Sequence, residues 1–245
     1  MDNIENIFKD MNKIGVKQVI LQGPPGTSKT HGAKEIIVSV LNDKNKDNTK
    51  DITIESLRKY KLTEKHYTDN ELKEDVYWDI VQFHPSYSYE DFVRGISVST
   101  IPNDKKVVND NTNSSSIKYD TVNKIFGKIC KLAGKNDNKT FFLIIDEINR
   151  ADVATVFGEL IYALEYRGVS NKIATPYSVK GECDIYVPNN LYIIGTMNTA
   201  DKSVGTIDMA IRRRFLFVDM LPDEKVIEES FRNLDNNALD IKWKD

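Results

Sequence analysis

The run QGPPGTSKTH at residues 22–31 contains a lysine, Lys29, followed directly by a hydroxyl side chain, Thr30. That pair, set six residues after Gly23, fits a phosphate-binding loop of the form G-x-x-x-x-G-K-[ST]. The chemistry is electrostatic. Backbone N–H groups of the loop, and the positive end of the helix after it, face one point where a phosphate can sit. Lys29 then reaches the β- and γ-phosphates, and the Thr30 hydroxyl ligates Mg²⁺. Gly23, Pro24, Pro25, Gly26, Thr27, Ser28, Lys29, Thr30 and His31 are therefore the candidate nucleotide contacts. Ser28 is the departure, since the pattern has a second glycine there. If the loop needs positive φ at that point, a side chain costs about 1 kcal/mol and weakens binding several-fold without abolishing it.

Three further stretches carry groups suited to the same chemistry. FFLIIDEINR, residues 141–150, is an apolar run ending in two acids. Asp146 is placed to hold Mg²⁺ through the metal's shell, and Glu147 to activate an attacking water. LYIIGTMNTADKS, residues 191–203, ends its apolar run near Asn198, whose amide can hydrogen-bond both that water and the γ-phosphate. IDMAIRRRF, residues 207–215, brings Arg212, Arg213 and Arg214 together just before another apolar run. Three adjacent arginines cannot share one helix face, so at least one points away from its own domain. An arginine delivered to a neighbour's phosphates neutralises charge that develops in the transition state. Each stretch has a plainer reading as a solvated turn, which loses weight beside an intact phosphate loop.

Parallel strands must position these groups. Apolar strand candidates fall at 18–22, 76–83, 140–145, 191–196 and 215–219. Helical spacing separates most of them, as in Val122/Ile125/Phe126/Ile129 and Val153/Phe157/Leu160/Ile161/Leu164. That alternation predicts an α/β fold with a mostly parallel sheet covered on both faces. Residues 42–75 carry 17 charges in 34 positions and read as a solvated insertion with a short helix near Ile54–Tyr60. Residues 97–119 read as a polar, mobile loop. In 245 residues with a net charge of −3, no basic field advertises direct nucleic-acid binding. Two separated cysteines argue against a disulfide framework, and three scattered histidines show no zinc pattern. No signal peptide or membrane-spanning run is visible, so the expected location is cytoplasmic.

In this order the pieces resemble the AAA+ ATPase superfamily and, within it, the McrB family. The resemblance runs from about residue 18 to 221. It rests on GPPGTSKT, VQFHPSYSYEDFVRGI (81–96), LIIDEINRAD (143–152), FGELIYALE (157–165) and GTMNTADKSVGTIDMAIRRRF (195–215). It implies a P-loop NTPase (AAA+) three-layer sandwich with a mostly parallel five-stranded sheet over residues 1–222, and a short tail at 223–245. It implies GTP, or ATP, as substrate with Mg²⁺, and Asn198 as the sensor that positions water. Arg213 or Arg214 becomes the finger acting in trans, Arg214 preferred because it directly precedes the Phe. The implied partners are further copies in a ring, hexameric by resemblance, and a McrC-like nuclease, with no membrane and DNA met only indirectly. The chain looks like a core module, without the family's N-terminal DNA-reading domain or its helical lid. Asn198 and Asp201 match an N-x-x-D guanine-reading shape, but Asn198 should point at the γ-phosphate, with the base near residues 12–18. Two other readings stand beside this one: a MoxR-like ATP-driven protein remodeller, and a nucleotide-gated scaffold without turnover.

Overall fold

The computed structural model describes residues 4–44, 52–62, 72–102, 115–200 and 207–221. Helix α1 (Ile4–Ile14) leads into strand β1 (Gln18–Gly23) and helix α2 (Lys29–Lys44). After a 3₁₀ turn (Glu55–Tyr60) come β2 (Val76–Gln82), α3 (Tyr89–Phe92), β3 (Arg94–Pro102), β4 (Ser115–Asn123) and α4 (Ile125–Lys135). Then follow β5 (Thr140–Asp146), α5 (Val153–Phe157), α6 (Leu160–Glu165), β6 (Ile173–Val179) and β7 (Glu182–Ile185). The chain closes through β8 (Leu191–Asn198), α7 (Met209–Arg212) and β9 (Leu216–Asp219).

Five strands form one sheet in the order β2-β5-β8-β1-β9, and every pairing in it is parallel. Side chains alternate between its faces. Val19 and Leu21 of β1, Phe142 and Ile144 of β5, and Ile194 of β8 pack with Ile36, Ile37 and Val40 of α2 and Ile7 and Met11 of α1. Ile20, Phe141, Leu143 and Ile193 face the other way, against Phe92, Phe126, Ile129, Phe157 and Leu160. Strands apolar on both faces are what helices on both faces require, and the result is the expected three-layer sandwich. All five strand candidates lie within two residues of their observed ends.

Several expectations are corrected. Residues 97–102 and 115–119 are not loop but arms of an antiparallel β3–β4 hairpin, paired from Arg94↔Asn123 to Pro102↔Ser115. Its serines and aspartate hid a period-2 pattern in which Ile96, Val98, Ile117 and Tyr119 share one exposed face. Val122 belongs to β4, and helix α4 starts only at Ile125. The helix foreseen over 153–164 is two, broken where Gly158 takes φ +52°. The 3₁₀ turn matches the short helix of the insertion, but that segment is not simply solvated. Leu57, Tyr60 and Leu62 are buried, and the Leu57 carbonyl accepts from Trp78 Nε1 at 2.8 Å. The β6–β7 hairpin had no counterpart among the expected elements. The remainder of the insertion (45–51 and 63–71), residues 103–114 of the expected polar loop, Asp201 and the tail at 223–245 lie outside the described residues. Among the described residues no helix is long and apolar enough to cross a membrane.

Candidate functional site: a phosphate loop facing two acids

β1 ends at Gly23 and α2 begins at Lys29, so residues 24–28 are the loop between them. Gly23 has no room for a side chain, because a Cβ there would run into the Met220 carbonyl oxygen just past β9. Gly26 turns the loop at φ +84°, where glycine pays no steric penalty. Ser28 takes φ +54°, so the strain foreseen for a non-glycine residue is present. Its carbonyl still opens α2 by accepting from Gly32 N at 2.8 Å. Lys29 is buried, and its Nζ donates to Pro24 O at 2.7 Å and Gly23 O at 3.1 Å. Burial holds the pKa of this ammonium below the usual lysine range, while Glu147 and Asp146 pull it back upward.

Sheet register brings the acids to the loop. Gly23 pairs with Asn198 across β1 and β8, and Ile145 pairs with Gly195 across β5 and β8. Asp146, Thr196 and Asn198 therefore reach the C-terminal edge of the sheet together, where open parallel sheets bind ligands. Thr30 Oγ1 donates to Asp146 Oδ1 at 2.6 Å, and Thr196 Oγ1 donates to the same oxygen at 2.7 Å. Glu147 stands in the left-handed region, φ 54° and ψ 46°. Its backbone N–H donates to Thr196 Oγ1 at 3.1 Å, and its Oε1 accepts from Asn198 Nδ2 at 2.6 Å. Arg150 Nε lies 3.5 Å from Glu147 Oε2. Asn149 is buried, and its Nδ2 ties this turn to the Asn198 carbonyl at 3.1 Å.

A cavity of about 330 Å³ is lined by Pro25, Gly26, Ser28, Lys29, Thr30, His31, Glu147, Thr196 and Asn198. It gathers eight expected residues and adds Thr196. Gly23, Pro24 and Thr27 build the loop, and Asp146 joins through its hydrogen bonds to Thr30 and Thr196. A larger cavity, about 500 Å³, lies between α4 and the β6–β7 hairpin and is lined by none of the candidate site residues. Thr196 and Asn149 escaped the sequence reading. Thr196 sits two residues before Asn198 in one strand, so the alternation of strand side chains was the available signal.

The donor set suits Mg²⁺. Thr30 Oγ1 and Asp146 Oδ1 are hard oxygens 2.6 Å apart, and this ion favours one or two protein oxygens completed by phosphate and water. Among the described residues no group of three or more His, Cys, Asp or Glu side chains could hold a metal. A metal here would need the nucleotide's own oxygens.

The arginines sit elsewhere. Leu216 pairs with Val19, four residues before Gly23, which puts the start of β9 roughly 13 Å from the loop at about 3.3 Å per residue. Arg214, the preferred finger, folds back onto its own chain: Nη2 lies 2.7 Å from Glu165 Oε2 and Nη1 donates to Ala210 O at 2.8 Å. Arg212 lies over the Phe217 ring at 5.3 Å, and Arg213 is exposed. Residues 12–18 are also at the far end of β1, where Asn12 Oδ1 accepts from Lys17 Nζ at 3.0 Å and from the Tyr192 hydroxyl at 2.6 Å.

Comparison with known proteins agrees with this geometry. Residues 71–215 match the AAA domain family, dynein-related subfamily. The chain is 35% identical over 221 residues to the Type IV methyl-directed restriction enzyme EcoKMcrB subunit of Escherichia coli (strain K12), covering 89% of this chain and 38% of that protein. It is 29% identical over 189 residues to the Type II restriction enzyme BsuMI component YdiS of Bacillus subtilis (strain 168), covering 67% of this chain and 52% of the relative. The chain thus spans about half or less of the length of these relatives. A parallel sheet ordered β2-β5-β8-β1-β9, a phosphate loop at the tip of β1 and the family match lead to one assignment: the chain, McrB-like in sequence, belongs to the AAA domain family, dynein-related subfamily.

Proposed function

We propose that this chain is the nucleotide-hydrolysing motor module of a McrBC-like restriction system. It works in a ring and drives a separate nuclease subunit on modified DNA. The observation that carries the reading is the hydrogen-bonded circuit Thr30–Asp146–Thr196–Glu147–Asn198 at the mouth of the phosphate loop. The E. coli relative is described as a subunit of a methyl-directed restriction enzyme, which supports a modified-DNA target. GTP is the substrate favoured by that resemblance, with ATP as the alternative.

In this reading the loop N–H groups and Lys29 hold the β- and γ-phosphates, and Thr30 and Asp146 hold Mg²⁺. The metal supplies charge neutralisation at the phosphate oxygens. Glu147, oriented by Asn198, takes a proton from water as the water oxygen bonds to the γ-phosphorus. The bond from that phosphorus to the β–γ bridging oxygen breaks, which gives the diphosphate and inorganic phosphate. Arg213 is exposed and about four strand residues from its own loop, so it is better placed to serve a neighbouring protomer's γ-phosphate than its own. A finger supplied in trans is worth about 10³–10⁵ in rate, so an isolated protomer turns over only slowly.

A mixing experiment tests this. In ring preparations supplemented with the nuclease partner, Glu147→Gln binds nucleotide normally while its turnover falls about 10²- to 10⁴-fold. Arg213→Ala is also nearly inactive. Combined, the first variant contributes an intact finger and the second an intact acid pair, so activity partly returns. If no mixing ratio restores turnover although light scattering confirms assembly, Arg213 does not act across the interface. Undiminished turnover in Glu147→Gln alone would move the water-activating role elsewhere. Preference for ATP over GTP, with no nuclease stimulation, would favour the remodeller reading instead.

A further inference from the structure

Thr196 is among the most buried polar residues of the described chain, 3% exposed, and it lies two positions before Asn198 on β8. A hydroxyl has one proton to give and lone pairs to accept with, and Thr196 uses both on consecutive acids. It gives its proton to Asp146 Oδ1 at 2.7 Å and accepts the Glu147 backbone N–H at 3.1 Å. We infer that Thr196 is the positioning residue of the acid pair, one buried hydroxyl that fixes the Asp146 carboxylate and the Glu147 backbone relative to each other. The inference rests on the nucleotide-hydrolysing reading of the same site.

Glu147 shows why such an anchor is needed. At φ 54° and ψ 46° its backbone is in a conformation that side-chain-bearing residues seldom adopt. It is held at both ends, the N–H by Thr196 and the carbonyl by Arg150 N at 2.9 Å. From that turn its Oε1 meets Asn198 Nδ2 at 2.6 Å, as the proposed water-activating pose requires. Thr30 also donates to Asp146 Oδ1, at 2.6 Å, but from the phosphate-loop side. Thr196 therefore holds the same oxygen from the sheet side and couples it to the turn that aims Glu147. Valine in its place would keep the volume and supply neither bond, so the Glu147 N–H would lose its acceptor.

The test compares Thr196→Val with Thr196→Ser, which keeps the hydroxyl. Outer partners of metal-site groups typically cost 10- to 100-fold when removed. Thr196→Val should lower kcat by about that factor with the nucleotide KM little changed, and should raise the Mg²⁺ concentration for half-maximal rate about tenfold. A second readout needs no turnover: fluorescent GTP binding with Mg²⁺ or with EDTA. Metal-free affinity should match the parent, and the gain on adding Mg²⁺ should shrink in Thr196→Val and return in Thr196→Ser. If valine does not give folded protein by near-ultraviolet circular dichroism, Thr196→Ala is compared with Thr196→Ser in the same assays. Parental Mg²⁺ response and turnover in the hydroxyl-free variant would overturn the inference, as would failure of serine to restore them. A parent chain without Mg²⁺-dependent tightening would overturn the nucleotide reading, and the role of Thr196 with it.

Discussion

At Ser28 the backbone turns through φ +54° with the residue exposed, so glycine there removes a Cβ clash and little else. Ser28→Gly is expected to stabilise the fold by at most about 1 kcal/mol, a rise in Tm of roughly 2–4 °C for a domain of this size. Nucleotide affinity should be equal or higher. Calorimetric melting and titration check both, and a clear loss of affinity would mean that the Ser28 hydroxyl contacts the nucleotide. The strain was legible in the sequence, because a fixed motif places a glycine at that position. Thr196 was not, because threonine is an ordinary strand residue. Alternation along β8 puts it on the face of Asn198, but its place beside Asp146 comes from β5–β8 register, which spacing within one stretch does not record. The sequence also gives no physical ground for separating Arg214 from Arg213. Adjacent arginines look alike in sequence, and only the fold places Glu165 within 2.7 Å of Arg214.

Among the elements, the two hairpins are the least expected feature, and one buried side chain joins them. Arg94, at the start of β3, is 4% exposed. Its Nε donates to Asn123 Oδ1 at 2.9 Å, Nη1 to Thr175 Oγ1 and Cys183 O at 2.7 Å each, and Nη2 to Asp184 O at 2.9 Å. These bonds clamp β6–β7 onto the base of β3–β4. Arg94→Met keeps the apolar stem and strips the donors, leaving carbonyls of the second hairpin without their partner. The expected cost is about 1.5–3 kcal/mol, read as a lower urea midpoint at unchanged slope. A change within about 0.5 kcal/mol would mean that the hairpins are held together by other contacts. The sheet strands were readable because strands buried on both faces are continuous apolar runs. The hairpins were not, because β3 and β4 alternate apolar residues with serine, lysine and aspartate, and β6–β7 has a register irregularity between Ala174 and Val179.

At the scale of the molecule, the strand order explains where the site is. The chain leaves β1 to build β8, β5 and β2 on one side and returns past it to β9 on the other. The crevice at the C-terminal end of β1 is therefore open to a ligand, and the phosphate loop fills its rim. The loop, both acids and Asn198 meet there within one protomer, while Arg213 sits near the opposite end of the strands. In the proposed reading, that separation leaves Arg213 to serve a neighbour's site. In the proposed reading the crevice binds a magnesium nucleoside triphosphate through Lys29. Isothermal titration of GTP and of ATP, each with Mg²⁺, into the parent chain and into Lys29→Ala tests it most directly. Saturable binding to the parent is expected, with at least a tenfold loss in the variant, about 1.4 kcal/mol or more. Equal affinity in the two proteins, for whichever nucleotide binds, would contradict the account.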